Sequence, residues 1–214
     1  MRCIGTLLQG GNEIPAKLEG MKIATWNINS IRARENRVED WLDEHDVDVL
    51  ALQETKTKDE TFPFDLFEFM GYEVAHFGLN QWNGVAIASR VGLEDVQRGF
   101  DNQPHFGKPG EPEVLEARAI GATCGGVRVW SLYVPNGRGL TDPHMDYKLR
   151  WMEALRQNVH NELAANPQAQ LAREPRLALP VAGMEQGRVH QERPVGVRVV
   201  GGQRGLAPHA PPSA

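Results

Sequence analysis

Residues 47–56 read VDVLALQETK, and this stretch decides the fold. Val47 to Leu52 is a β-branched and apolar run of strand length that stops at Gln53-Glu54-Thr55-Lys56. A carboxylate directly after a buried strand stands on a rigid platform at a sheet edge, where α/β proteins bind ligands. Upstream, Lys22 to Asn27 (KIATWN) reads as a strand, and residues 35–46 read as a helix with Val38, Trp41 and Leu42 at i, i+3 and i+4. Downstream, Phe62 to Met70 reads as a short helix or turn with Phe and Leu anchors. Tyr72 to Phe77, Gly84 to Ser89, Val114 to Ala119 and Val127 to Val134 read as strands. Residues 143–164 read as a long amphipathic helix whose apolar side is Tyr147, Leu149, Trp151 and Leu155, ended by Asn166-Pro167. Strands interleaved with helices, with some strands adjacent in hairpins, predict an α/β fold with a mixed sheet and flanking helices.

The composition is that of a soluble globular protein: 41% apolar, 24% charged, net charge −5. A nucleic-acid surface on such a chain has to be a local patch, since there is no global basic excess. Cys3 and Cys124 lie far apart without ligand spacing, which argues against a disulfide framework or a zinc site and suits a reducing, cytoplasmic setting. No apolar run approaches the length of a membrane span. Residues 1–20 make a poor secretory signal and read as a flexible extension before Met21, itself a candidate start.

Residues 21–168 form one patterned unit, and the character changes near Ala172. Residues 172–214 hold six each of Arg, Pro, Gly, Ala and Val, with no Asp, Lys or aromatic residue, and no Asp follows Asp146 anywhere. Two readings stay open: the product of a GC-rich gene read out of frame, which is preferred, or a genuine disordered tail. Both predict little structure over 169–214.

Three motifs carry candidate chemistry. In Thr25-Trp26-Asn27-Ile28-Asn29-Ser30-Ile31-Arg32 a strand ends and the chain turns; Asn27 and Asn29 suit orientation of water, metal ligand or phosphate, and Arg32 suits a phosphate oxygen. Read blandly, the same segment is an Asn-rich turn and helix cap. In Gln53-Glu54-Thr55-Lys56, one carboxylate is how Mg²⁺ is often held, with Lys56 as a phosphate partner; the bland reading is a polar strand end. In Ser131-Leu132-Tyr133-Val134-Pro135-Asn136-Gly137-Arg138 a strand delivers Tyr133 and a tight loop carries Asn136 and Arg138. A hydroxyl, an amide and a guanidinium on one loop suit a phosphodiester, whereas Pro-Asn-Gly is also an ordinary turn. Trp82-Asn83-Gly84 reads as a turn into the next strand. His76, His105 and His144 have no partner spacing and are read as non-catalytic.

Taken in order, WNINSIRAR, LQETK, GVAIASR and SLYVPNGR resemble the endonuclease/exonuclease/phosphatase superfamily, and within it the bacterial exonuclease III type of abasic-site endonuclease. The resemblance covers about residues 21–168. It implies a four-layered α/β sandwich, of which this chain holds the N-terminal part. It also implies metal-dependent hydrolysis (Mg²⁺, with Mn²⁺ as a substitute) of duplex DNA 5′ to abasic sites and at 3′ ends by a monomeric enzyme. On these matches Glu54 is the metal-binding Glu with Asn27 beside it, Tyr133 the active-site Tyr, and Asn136 and Arg138 the DNA-facing loop residues. Asn29, Arg32 and Lys56 lie within matched motifs. The family's Gly-Asp-x-Asn and Ser-Asp-His motifs do not occur in the sequence, so the chain is expected to be inactive by itself. Most of the second sheet is expected to be absent, leaving the inner face of the first exposed. The alternatives are a non-catalytic DNA-binding fragment and a superfamily phosphatase acting on a small phosphoester.

Overall fold

The computed structural model describes residues 21–107, 110–165 and 198–201. Strand β1 (Lys22–Asn27) leads through a turn to helix α1 (Glu35–His45), and β2 (Val49–Gln53) returns beside β1. These two strands are parallel, from Ile23 opposite Val49 to Asn27 opposite Gln53, because the intervening helix carries the chain back before the second strand begins. Helix α2 (Phe64–Phe69) precedes β3 (Glu73–Phe77) and β4 (Val85–Ser89), and β4 runs antiparallel to both β2 and β3. Strands β5 (Glu94–Arg98), β6 (Ala119–Cys124) and β7 (Val127–Leu132) make a second, antiparallel sheet in that order, followed by α3 (Pro143–Ala165). A last strand, β8 (Arg198–Gly201), pairs antiparallel with β1 and completes the first sheet in the order β3-β4-β2-β1-β8.

Every residue of β2 and of β4 is buried, as expected for strands covered on both faces. On one face Ala24, Trp26, Leu50, Leu52, Ala86 and Ala88 meet Val38 and Leu42 of α1 and Phe67 of α2. On the other, Val49, Phe77, Val85 and Ile87 meet Ile120, Ala122, Cys124 and Val129 of the second sheet. Behind that sheet, Ala119 and Leu132 pack on Tyr147 and Trp151 of α3. The layers therefore run helix, sheet, sheet, helix. Gly125 and Gly126, with φ of 56° and 78°, supply the two left-handed residues that a tight β6–β7 turn demands.

Several expectations need correction. Three strands of the second sheet are present, so the inner face of the first sheet is covered rather than exposed. The strand read at Val114–Ala119 begins only at Ala119; Val114 makes a lone bridge to Phe106. The true strand, AIGATC, sets Ile120 and Thr123 among small residues with little strand propensity, and packing demands the small ones: a Cβ on Gly121 would stand 2.8 Å from the side chains of Arg128 and Trp130. β5 went unread because EDVQR is a mostly exposed, polar edge strand. Leu149 of α3 is 60% exposed. It lies two residues from both Tyr147 and Trp151, which puts it on the opposite helix face, and the buried line continues to Asn158. The extension at 1–20 lies outside the described residues, and so does the tail from 169 apart from β8. Among the described residues no helix is long and apolar enough to cross a membrane.

Candidate active site

β1 and β2 end side by side at Asn27 and Gln53, so the residues just beyond them share one edge of the sheet. A chain of main-chain hydrogen bonds laces the loops there. Ser30 N–H donates to Glu54 O (2.7 Å), Ile31 N–H to Thr55 O (3.0 Å) and Thr55 N–H to Gly84 O (3.2 Å). Gly84 N–H donates to Ala117 O (3.0 Å) and Tyr133 N–H to Arg118 O (2.7 Å), which carries the lacing across to the second sheet. Immediately beneath, the buried Gln53 Nε2 donates to Thr25 Oγ1 (3.1 Å) and Ser131 Oγ (3.0 Å). Ser131 Oγ in turn donates to Leu52 O (2.7 Å), tying β7 to β2 through satisfied polar groups.

Backbone strain concentrates at this edge. Asn29, Ser30, Glu54, Lys56 and Asn83 all have positive φ, between 46° and 87°, as does Arg138 on the neighbouring loop. Non-glycine residues hold such conformations only where the surroundings over-determine them, which is typical of functional sites.

Glu54 is the centre of the cluster. Its Oε1 accepts from Asn27 Nδ2 at 2.7 Å, its Oε2 lies 3.0 Å from Lys56 Nζ, and the Tyr133 hydroxyl is close enough to interact electrostatically with it. Asn27 Oδ1 accepts from Asn29 N–H at 3.2 Å, and Lys56 Nζ also donates to Asn29 Oδ1. Burial, the largest single influence on the Glu54 carboxyl, pushes its pKa up; the bonds from Asn27, Lys56 and Tyr133 together with the Lys56 charge outweigh it and hold the group below its ordinary value. The Tyr133 hydroxyl is pushed up to about 12 by burial and then by the Glu54 charge beside it, so it stays protonated and remains a donor at neutral pH.

The structure brings Asn27, Asn29, Glu54, Lys56 and Tyr133 together, and leaves three other sequence candidates outside the cluster. Arg32 is exposed on the turn, and Arg34 is the residue whose guanidinium donates to Asn29 O. Asn136 and Arg138 stand exposed on the loop after β7, where Asn136 Oδ1 accepts from Arg138 N–H at 2.9 Å. Two members of the site were missed by sequence reasoning. Arg118, only 8% exposed, stacks its guanidinium 5.0 Å from the Tyr133 ring centroid and pairs with Glu116 Oε2 at 2.6 Å. Glu116 Oε1 accepts from Asn83 Nδ2 at 3.1 Å. The one available signal was two alternating charges, Glu116 and Arg118, within the stretch read as a strand.

Among the described residues no group of three or more His, Cys, Asp or Glu could hold a metal unaided. His144 is paired with Asp142 at 2.6 Å. The His76 side chain is fully buried, between Phe62, Asp59 and Thr55. Burial lowers its pKa from 6.5 to about 4; Asp59 works against that shift and Arg98 with it. The unfolded chain therefore binds more protons than the folded one between these values, so stability falls as pH drops from 6.5 to 4. Urea midpoints at pH 7 and pH 4.5 measure it, and His76→Phe should flatten most of the difference; an equal drop in parent and variant would place the proton elsewhere.

Residues 24–173 match the sequence model of the Endonuclease/Exonuclease/phosphatase family. Exodeoxyribonuclease III of Haemophilus influenzae is 39% identical over 85 residues, 39% of this chain and 32% of that protein. A solved structure of a 3′ phosphatase from Neisseria, bound to product DNA hairpin, is 38% identical with a TM-score of 0.60, covering 67% of this chain and 53% of that one. An AP endonuclease from Archaeoglobus fulgidus is 40% identical with a TM-score of 0.58, covering 66% and 51%. The chain thus spans between a third and about half of the length of these relatives.

Proposed function

Because this chain belongs to the endonuclease/exonuclease/phosphatase family, we propose that its edge cluster is the metal- and phosphodiester-binding half of a DNA-repair nuclease site. The observation that carries this reading is the Glu54 carboxylate at the end of β2, held ionised by Asn27, Lys56 and Tyr133. The likeness to exodeoxyribonuclease III, to an AP endonuclease and to a phosphatase seen with a DNA hairpin supports duplex DNA with abasic sites or 3′ ends as the ligand.

A divalent cation fits the donor set. Glu54 is a hard anionic oxygen ligand with 18% of its side chain exposed, and Asn27 stands beside it. One carboxylate with water and phosphate oxygens is an ordinary arrangement for Mg²⁺. Glu54 and Asn27 would hold the ion, which supplies Lewis-acid polarisation of a phosphodiester oxygen. Tyr133 offers a hydroxyl donor that does not ionise near neutrality. Arg118 fixes the Tyr133 ring from one face and brings a cation next to it. Lys56 offers a positive charge at the same edge, and Asn29 aligns the Lys56 ammonium. Arg32, Asn136 and Arg138 are assigned to the DNA backbone, a reading their exposure supports.

Hydrolysis also needs an oriented water and help for the leaving group. The Gly-Asp-x-Asn and Ser-Asp-His motifs that the family uses for this are absent from the sequence. We therefore propose that these 214 residues bind without completing the reaction. Mn²⁺ tests the binding half directly. Added to ¹⁵N-labelled protein, it should broaden the amides of residues 53–56 and 27–29 first, and Glu54→Gln should abolish that selectivity. Identical broadening in parent and variant would remove Glu54 as the metal carboxylate.

A further inference from the structure

Glu54 and Lys56, with φ of 55° and 52°, flank a residue that is completely buried, Thr55. Two left-handed residues around one position are a strained arrangement, at about 1–3 kcal/mol each, and need external ties to persist. The main chain of Thr55 is tied on both sides, by its N–H to Gly84 O and by its O to Ile31 N–H. Its side chain has a further tie: Thr55 Oγ1 lies 2.8 Å from His76 Nε2.

His76 is itself immobilised. Its Nδ1 lies 2.8 Å from Asp59 Oδ1, a close contact whose alignment falls short of a hydrogen bond. Asp59 is fixed by Gly78 N–H, which donates to its Oδ1 at 2.8 Å, and by Arg98, 2.9 Å from its Oδ2. Arg98 also donates to the His76 carbonyl at 3.0 Å. The ring stacks on Phe62 with centroids 4.2 Å apart. On the remaining side is Gly78, where a Cβ would stand 2.5 Å from His76 Cε1. The order carboxylate, imidazole, hydroxyl is that of a nucleophile triad, but a completely buried Thr55 hydroxyl is closed to any substrate. What the chain of contacts reaches instead is the backbone on which Glu54 stands.

We propose that His76, anchored by Asp59 and acting through Thr55, is a positioning residue that fixes the left-handed turn Glu54-Thr55-Lys56 and so aims the Glu54 carboxylate. The inference rests on reading Glu54 as the metal carboxylate. Groups that orient a metal ligand from behind typically contribute about 10–100-fold in metal affinity when they are removed.

The test is Mn²⁺ titration of the ¹⁵N-labelled full chain, reading broadening at residues 53–56. Thr55→Val removes the hydroxyl and keeps the shape, and His76→Phe keeps the ring and removes both nitrogens. Each should weaken Mn²⁺ binding roughly tenfold, with amide dispersion elsewhere retained. Thr55→Ser keeps the hydroxyl and should bind like the parent. His76→Gln, whose amide oxygen can accept from the Thr55 hydroxyl, should recover affinity while remaining as destabilised as His76→Phe. A merely structural role would make affinity track stability across all four variants, and that result overturns the proposal. So does parental affinity in Thr55→Val and His76→Phe with binding lost in Glu54→Gln, which leaves the Glu54 reading intact. Parental affinity in Glu54→Gln as well overturns both.

Discussion

Gly84→Ala should destabilise the protein by about 2–4 kcal/mol and take selective Mn²⁺ binding at Glu54 with it. Gly84 has φ +89°, a conformation that an alanine adopts only under strain. A Cβ there would stand 2.1 Å from Thr55 Oγ1, a distance no real contact shows, and a tight 3.3 Å from Lys56 N. Relief by movement is blocked: Thr55 is completely buried, and its hydroxyl is held by His76 at 2.8 Å. Gly84 is pinned on both sides, by Thr55 N–H at its carbonyl and by Ala117 O at its own N–H. Whatever shifts to admit the methyl group displaces the turn that carries Glu54 or the step to Ala117 and Arg118. Gly71 supplies the control. Its φ is +80°, but a Cβ would meet nothing within 4 Å, so Gly71→Ala bears only the backbone cost of about 1 kcal/mol. Urea midpoints and Mn²⁺ broadening for the two variants separate strain from collision. Equal effects in both would mean that the contact at Thr55 is unimportant.

Much of the fold was legible because its strongest elements are periodic and local. β1 falls on Lys22–Asn27 as read, and α1 and α3 on the stretches their apolar spacing marked, with the exposed Leu149 the misread position. β2 was legible from its unbroken apolar run, which a strand buried on both faces requires. The failures are tertiary. AIGATC is a strand because large neighbours such as Trp130 need small residues beneath them, and EDVQR because β6 offers an edge. Neither cause is visible along the chain.

The site divides in the same way. Asn27 and Glu54 were legible because each ends a strand, and strands paired in register end together. Tyr133 follows β7 and reaches them because the second sheet stacks on the first at the same end. Glu116 and Arg118 drew no reading from the sequence; burial and the Tyr133 ring give Arg118 its place, and both are non-local facts. His76 lies 17 and 21 positions from its partners Asp59 and Thr55, so no sequence spacing discloses the contacts.

A duplex carrying one abasic site, incubated with Mg²⁺ and the purified 214-residue chain, should remain intact. In the proposed reading Glu54, Asn27, Tyr133 and Arg118 hold a cation and a phosphodiester, and among the described residues nothing in the cluster is placed to deprotonate water. His76 is sealed in the core and His144 is engaged with Asp142. Groups that act as a unit in catalysis are grossly non-additive, and losing members of such a unit commonly removes about 10⁴-fold or more of the rate. The direct measurement is incision of that duplex by the parent chain and by Glu54→Ala, side by side and with Mg²⁺ in excess. The expected result is no product above the protein-free control from either. Robust Mg²⁺-dependent incision by the parent, abolished in Glu54→Ala, would contradict the account of a binding half-site without its hydrolytic partner groups.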